Sequence, residues 1–168
     1  MSTPESHDEL FRVRLYREDL NFSAGHISTY GEEVEGQHGH NYQLSITFEG
    51  PLNEDALVID FRTVKGILRG LLKRLNHRTL VPVLNPRLKL EKGRRSTRIR
   101  IGDDWLEFPN SNLVFLDLPN ITAEMLAMHF HRWLWKELPE AERLRLTGIV
   151  VEVIESPGQS AIFSGGGG

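Results

Sequence analysis

The chain has 168 residues, 39% of them hydrophobic and 26% charged, enough apolar material for one soluble domain with a sizeable core. A net charge of −3 argues against nucleic acid or an anionic membrane as the main partner, since both need a basic surface, and no apolar run nears the ~18 residues of a membrane span. The absence of cysteine excludes disulfides, thiolate metal sites and a thiol nucleophile, which leaves any metal to His, Asp or Glu.

The N-terminus, MSTPESHDEL, is polar and acidic, unlike a signal peptide, so a cytoplasmic location is expected. Residues 1–9 and 165–168 read as flexible ends around a single domain over 10–164. Residues 11–23, FRVRLYREDLNFS, alternate apolar and polar at first, as a half-buried strand does, and YQLSITFE at 42–49 alternates cleanly. The polar link between them makes the pair a long antiparallel hairpin. The period then changes: Val58, Phe61, Val64, Ile67, Leu68, Leu71, Leu72 and Leu75 recur at spacings of three and four, an amphipathic helix. Residues 81–118 are rich in Pro and Gly, and STRIRIGDDWLEF within them reads as a small hairpin turning at Gly102-Asp103-Asp104. NITAEMLAMHFHRWLWKEL is a second helix, with Asn120 or Thr122 as N-cap and Pro139 ending it. GIVVEVIES and SAIFS close the chain as strands. The expected fold class is α+β: an antiparallel sheet with two helices on one face and a small inserted hairpin.

Three of the seven histidines, His26, His38 and His40, fall within fifteen residues. On a strand, i and i+2 share a face, so His38 and His40 can aim at one point, with Gly39 keeping the opposite face small. If the hairpin closes around 27–36, His26 comes alongside them. Three imidazoles with a fourth position open is the pattern of catalytic zinc; hydrogen-bonded structural histidines are the plainer alternative. His129 and His131 differ, because i and i+2 on a helix lie about 200° apart and cannot share a metal.

FSAGH followed by HGHNY resembles the signature of the 6-pyruvoyltetrahydropterin synthase and 6-carboxytetrahydropterin synthase family. The likeness continues through LVIDFRTVKGIL, LNHRTL, NITAEMLA and VEVIESPGQSAIF, in order along most of the chain. The resemblance implies the tunnelling fold, assembled as homotrimers or homohexamers with active sites between subunits. It also implies zinc (Zn2+) held by His26, His38 and His40, and a pterin anchored by Glu155 in a pocket lined by Thr122 and Glu124. His77 matches the histidine of a catalytic relay. The chemistry fits these residue types: a carboxylate such as Glu155 can accept two adjacent pterin N–H groups, and zinc can acidify a side-chain hydroxyl.

Two positions depart from the family's usual pattern. The catalytic cysteine before HGH is missing, and the usual Asp-His is Asn76-His77. Asparagine can orient an imidazole but cannot stabilise its charged form. Glu35, in the spacing ExxHGH, resembles a branch in which glutamate replaces the cysteine. That branch cleaves 7,8-dihydroneopterin triphosphate to 6-hydroxymethyl-7,8-dihydropterin. Glu35 is therefore the expected base, with Glu33 as substitute and a merely solvated acidic loop as the bland alternative. The competing functions are the 6-pyruvoyl or 6-carboxy synthase reaction and a non-catalytic pterin-binding member. The basic run from Lys89 to Arg100 reads as a solvated hairpin or oligomer contact before a phosphate site.

Overall fold

The computed structural model describes residues 9–166. The expected flexible ends lie outside the described residues, apart from Glu9, Gly165 and Gly166, and Gly165 still belongs to the last strand. Alternating residues build two long antiparallel strands, β1 (Phe11–His26) and β4 (His38–Gly50). The polar link between them holds a tiny hairpin, β2 (Thr29–Tyr30) and β3 (Glu33–Val34). It turns at Gly31, whose φ of +57° suits glycine.

β1 does not alternate evenly. Val13 and Leu15 pack inward opposite Phe48 and Ile46, whereas further along the inward residues are Phe22 and Ala24, opposite Tyr42 and His40. Between the pairs Tyr16↔Ser45 and Asn21↔Gln43, β1 advances five residues while β4 moves two. This irregularity switches the inward set from odd to even positions and turns His26 onto the inward face.

Asp60 starts the first helix, α1 (Phe61–Leu75), by accepting the Arg62 N–H at 2.9 Å. Val58, expected in the helical run, is buried in the lead-in instead. Val64, Leu68, Leu71, Leu72 and Leu75 form the buried stripe of α1 over β1. Thr122 caps α2 (Ala123–Glu137), its hydroxyl accepting the Met125 N–H at 3.3 Å. α2 lies on β10 (Gly148–Ser156) and β11 (Gln159–Gly165), and a short α3 (Glu140–Arg145) follows Pro139. Both long helices share one core with Ile149, Val151 and Val153 of β10. Each fully buried Leu, Ile or Phe there contributes about 1.5–3 kcal/mol, so this layer dominates the stability.

The sheet order is β11-β10-β4-β1-β5-β9. The first four strands pair antiparallel; β5 (Arg78–Pro82) and β9 (Leu113–Leu116) extend the sheet in parallel beyond β1. These two have no counterpart among the expected elements, because RTLVP and LVFL are short apolar runs without a period of two. The expected small hairpin carries a third strand: β6 (Leu90–Lys92), β7 (Ser96–Ile101) and β8 (Asp104–Pro109). Ile99 docks it into a second cluster with Ile27, Val81 and Leu113, against which Val34 also packs. The insert is thus a brace beneath the loop after His26. Its basic run makes local contacts: Arg98 with Glu91 at 2.8 Å, Arg100 with Asp103 at 3.1 Å, and Lys92 over the Phe115 ring at 4.4 Å.

Candidate active site

At the end of the long hairpin His26 stands directly opposite His38, and His40 opposite Ala24. The strand period and the irregularity in β1 together put all three imidazoles on the inward face, where their donor atoms lie within 4.8 Å of one another. His26 Nδ1 lies 3.1 Å from the Ile121 carbonyl, and His38 Nδ1 lies 3.0 Å from the Gly36 carbonyl. A carbonyl can only accept, so both Nδ1 atoms carry the ring proton. The two Nε2 lone pairs then face each other at 3.0 Å, a repulsive arrangement in neutral rings. A shared proton is disfavoured at His26, whose pKa is pulled down to about 4, first by burial and then by the His38 imidazole. A cation between the rings, reached also by His40, removes the conflict. The group can hold a metal ion, and three neutral imidazoles are a donor set that zinc accepts.

Gly39 is required by a close approach. A Cβ there would lie 2.6 Å from the Ala24 carbonyl oxygen, so any other residue forces the two ligand-bearing strands apart. Residues of the opposite parity, Ser23, Gly25, Gly39 and Asn41, line a separate shallow hollow that Ala24 and His40 also border, and His77 lies there. Of the three candidate ligands only His40 also borders that hollow, and His77 is not among the residues that line the cleft holding all three. His77 holds a left-handed φ of +57° at the turn between α1 and β5, with its N–H bonded to the Ser23 carbonyl at 2.6 Å. The Asn76 side-chain oxygen accepts the Ser23 N–H at 2.9 Å, so it fastens the turn to β1.

The inward face opens into a cleft of about 560 Å³ whose lining includes the three histidines, Glu35, Thr122, Glu124 and Glu155. This size is ordinary for a small-molecule site. Glu155 continues the inward parity of Val151 and Val153 to the end of β10, and its Oε1 lies 3.5 Å from His40 Nε2. The fully buried Tyr42 stacks on Phe22 at 5.0 Å and sets its ring edge-on to His40 at 5.6 Å. Burial, then the Glu155 carboxylate, hold its phenol well above the ordinary range, and its hydroxyl lies beyond ordinary hydrogen-bonding geometry. Thr122 has its hydroxyl engaged in the helix cap.

Glu35 and Glu33 part company. Glu35 lines the cleft, whereas Glu33 lines another hollow with Glu32, Arg87, Lys89 and Arg100. The buried Ser28 donates its hydroxyl to Glu35 Oε2, and the Ser28 carbonyl accepts the Glu35 N–H at 2.9 Å. Asn120, expected only as a candidate cap, pairs its carboxamide with the Thr29 backbone in both directions, at 3.0 and 2.9 Å. Neither Ser28 nor Asn120 carries a periodic signal; their partners were the missing information. His131 is buried on α2 against Trp135, with Nε2 3.1 Å from the Gly165 carbonyl, a packing histidine as its helical spacing requires.

Residues 14–166 match the protein family described as 6-pyruvoyl tetrahydropterin synthase. The 6-carboxy-5,6,7,8-tetrahydropterin synthase of Aquifex aeolicus is 29% identical over 145 residues, 84% of this chain and 83% of that protein. The dihydroneopterin monophosphate aldolase of Pyrococcus furiosus is 34% identical over 71 residues, 42% of this chain and 59% of that protein. The 6-pyruvoyl tetrahydropterin synthase of Plasmodium vivax shares the fold, with a TM-score of 0.88 at 24% identity over 95% of this chain and 99% of that one. A solved variant of that protein has alanine in place of a glutamate described as a catalytic residue.

Proposed function

The chain belongs to the 6-pyruvoyl tetrahydropterin synthase family, and on that footing we propose that it is a zinc-dependent pterin lyase of the cytoplasm. Its substrate in this reading is 7,8-dihydroneopterin triphosphate or dihydroneopterin, and its product is 6-hydroxymethyl-7,8-dihydropterin, a folate precursor. The observation that carries the reading is Glu35 in the same cleft as His26, His38 and His40, in a chain without cysteine. The Plasmodium vivax protein, with its catalytic glutamate, and the Pyrococcus furiosus aldolase supply precedents for the base and the reaction type.

His26, His38 and His40 hold the metal. Zinc supplies Lewis acidity there, lowering the pKa of a substrate hydroxyl that meets it. Glu155 accepts two adjacent N–H groups of the pterin edge, a charge-assisted bidentate contact, while Thr122 and Glu124 line the pocket around the ring. Glu35 takes the proton of the 2′-hydroxyl. The C1′–C2′ bond then breaks in the retro-aldol sense. Its electron pair passes into the ring imine, the pterin gains a proton, and C2′ leaves as an aldehyde. His77, with Asn76 behind it, serves the cleft of a neighbouring copy in a homotrimer or homohexamer. Its absence from the lining of the chain's own cleft supports that assignment.

The longer match to the Aquifex aeolicus protein favours a second reading, 6-carboxytetrahydropterin synthase, and the lack of cysteine sets it behind the first. Incubating zinc-loaded protein with dihydroneopterin and with its triphosphate, then identifying the pterins by mass, separates them. The 6-hydroxymethyl product is expected. A 6-carboxy or 6-pyruvoyl product would replace the lyase reading, and unchanged substrate would make the chain a pterin-binding member.

A further inference from the structure

Glu35 sits on a loop that is itself exposed, just past β3. A glutamate side chain in such a place samples several rotamers, and a proton acceptor that wanders by an ångström loses much of its effect. Here one residue holds it twice. The Ser28 carbonyl receives the Glu35 N–H at 2.9 Å, and the Ser28 hydroxyl donates to Oε2, leaving Oε1 as the oxygen available for a substrate proton.

Ser28 is in turn fixed by its surroundings. It is only 5% exposed and follows Ile27, which is fully buried. Thr29, its other neighbour, is held in both directions by the Asn120 carboxamide and through its hydroxyl by Asn85 Nδ2 at 3.0 Å. The hydroxyl of Ser28 thus points from a buried, hydrogen-bonded segment to the carboxylate of an exposed loop residue, the arrangement that preorganises a reacting group.

We propose that Ser28 is the positioning residue of Glu35: its hydroxyl, held by the clipped 27–29 segment, sets the rotamer from which Glu35 works. The inference rests on the reading of Glu35 as base. It makes Ser28, which itself lines the cleft, act through Glu35.

The test uses the zinc-loaded full chain cleaving 7,8-dihydroneopterin triphosphate. Ser28→Ala is expected to lower kcat by about tenfold or more while leaving KM and zinc content near wild type, since a charge-assisted hydrogen bond to the base is lost. Ser28→Thr, which keeps the hydroxyl, is expected to recover most of kcat. In a Glu35→Gln background, Ser28→Ala is expected to cost little more, because the carboxylate it positions is already gone. A merely structural Ser28 would cost the same factor in both backgrounds, and that result overturns the proposal. So does wild-type kcat in Ser28→Ala beside an inactive Glu35→Gln. A fully active Glu35→Gln, by contrast, rejects Glu35 as base and takes this inference with it.

Discussion

The two faces of one sheet end carry different halves of the expected machinery. On the inward face, His26, His38, His40 and Glu155 converge with Glu35 on a single cleft under the start of α2. On the outward face, His77 lies in a shallow hollow with Ser23, Gly25, Gly39 and Asn41; His40 and Ala24 also border it, and no carboxylate lines it. The same two strands supply both, through the alternation of their side chains. The inward half is assembled within one chain; in the proposed reading the outward half acts only when another copy brings its own cleft against it.

The largest expected effect breaks the inward face. His38→Ala/His40→Ala should bind no zinc and turn over no pterin, because one imidazole is too few for the site. Near-stoichiometric zinc by elemental analysis in that variant would sink the ligand assignment. Next, Glu35→Gln should lose on the order of 10²–10⁴ in rate while keeping zinc and pterin affinity. Glu33→Gln should remain close to wild type, since Glu33 lines a different hollow.

A complementation experiment sharpens the comparison between faces. His77→Ala and Glu35→Gln should each be poorly active alone. Mixed oligomers refolded from both should regain part of the activity, because some interfaces then join an intact His77 to an intact Glu35. No recovery in demonstrably mixed oligomers would confine both residues to one chain's chemistry or remove His77 from it.

The smallest effect is on stability against pH. His26 is held neutral in the fold down to about 4, against an ordinary 6.5. Below about 6.5 the unfolded chain takes up a proton that the native chain refuses. The stabilising contribution is therefore complete above about 6.5 and is lost progressively as pH falls to about 4. Metal-free wild type should show a falling Tm across that window, and His26→Gln should flatten the slope.

Much of this site was legible in the sequence. HGH on a strand fixes two imidazoles on one face by period alone, and the FSAGH–HGHNY pair gave the family with the order of its elements. The facing of His26 was not, because it depends on the irregularity after Tyr16, which reverses the parity of β1 without leaving a mark in composition. β5 and β9 also escaped, being short apolar runs in a Pro- and Gly-rich stretch whose role depends on the strand beside them. The basic run suggested a solvated hairpin or an oligomer contact; Lys89, Lys92, Arg94, Arg95 and Arg98 are exposed, while Ile99 on the reverse side of β7 anchors the hairpin. Asn120 and Ser28 look like a cap and a loop polar residue until their partners are in place; Asn120 meets Thr29 across 91 positions.

That long reach has a consequence for the order of assembly. The three imidazoles belong to one hairpin and meet by closing a short stretch of chain, while the clip from Asn120 to Thr29 has to close a loop spanning 91 positions. The same hierarchy governs partial opening of the native state, where the most distant and least buried connections let go first. Amide exchange at Thr29 and Glu35 should therefore run ahead of exchange in the strands that carry the histidines. The chain would then pass through a form that keeps its metal ligands together while the carboxylate beside them has come loose.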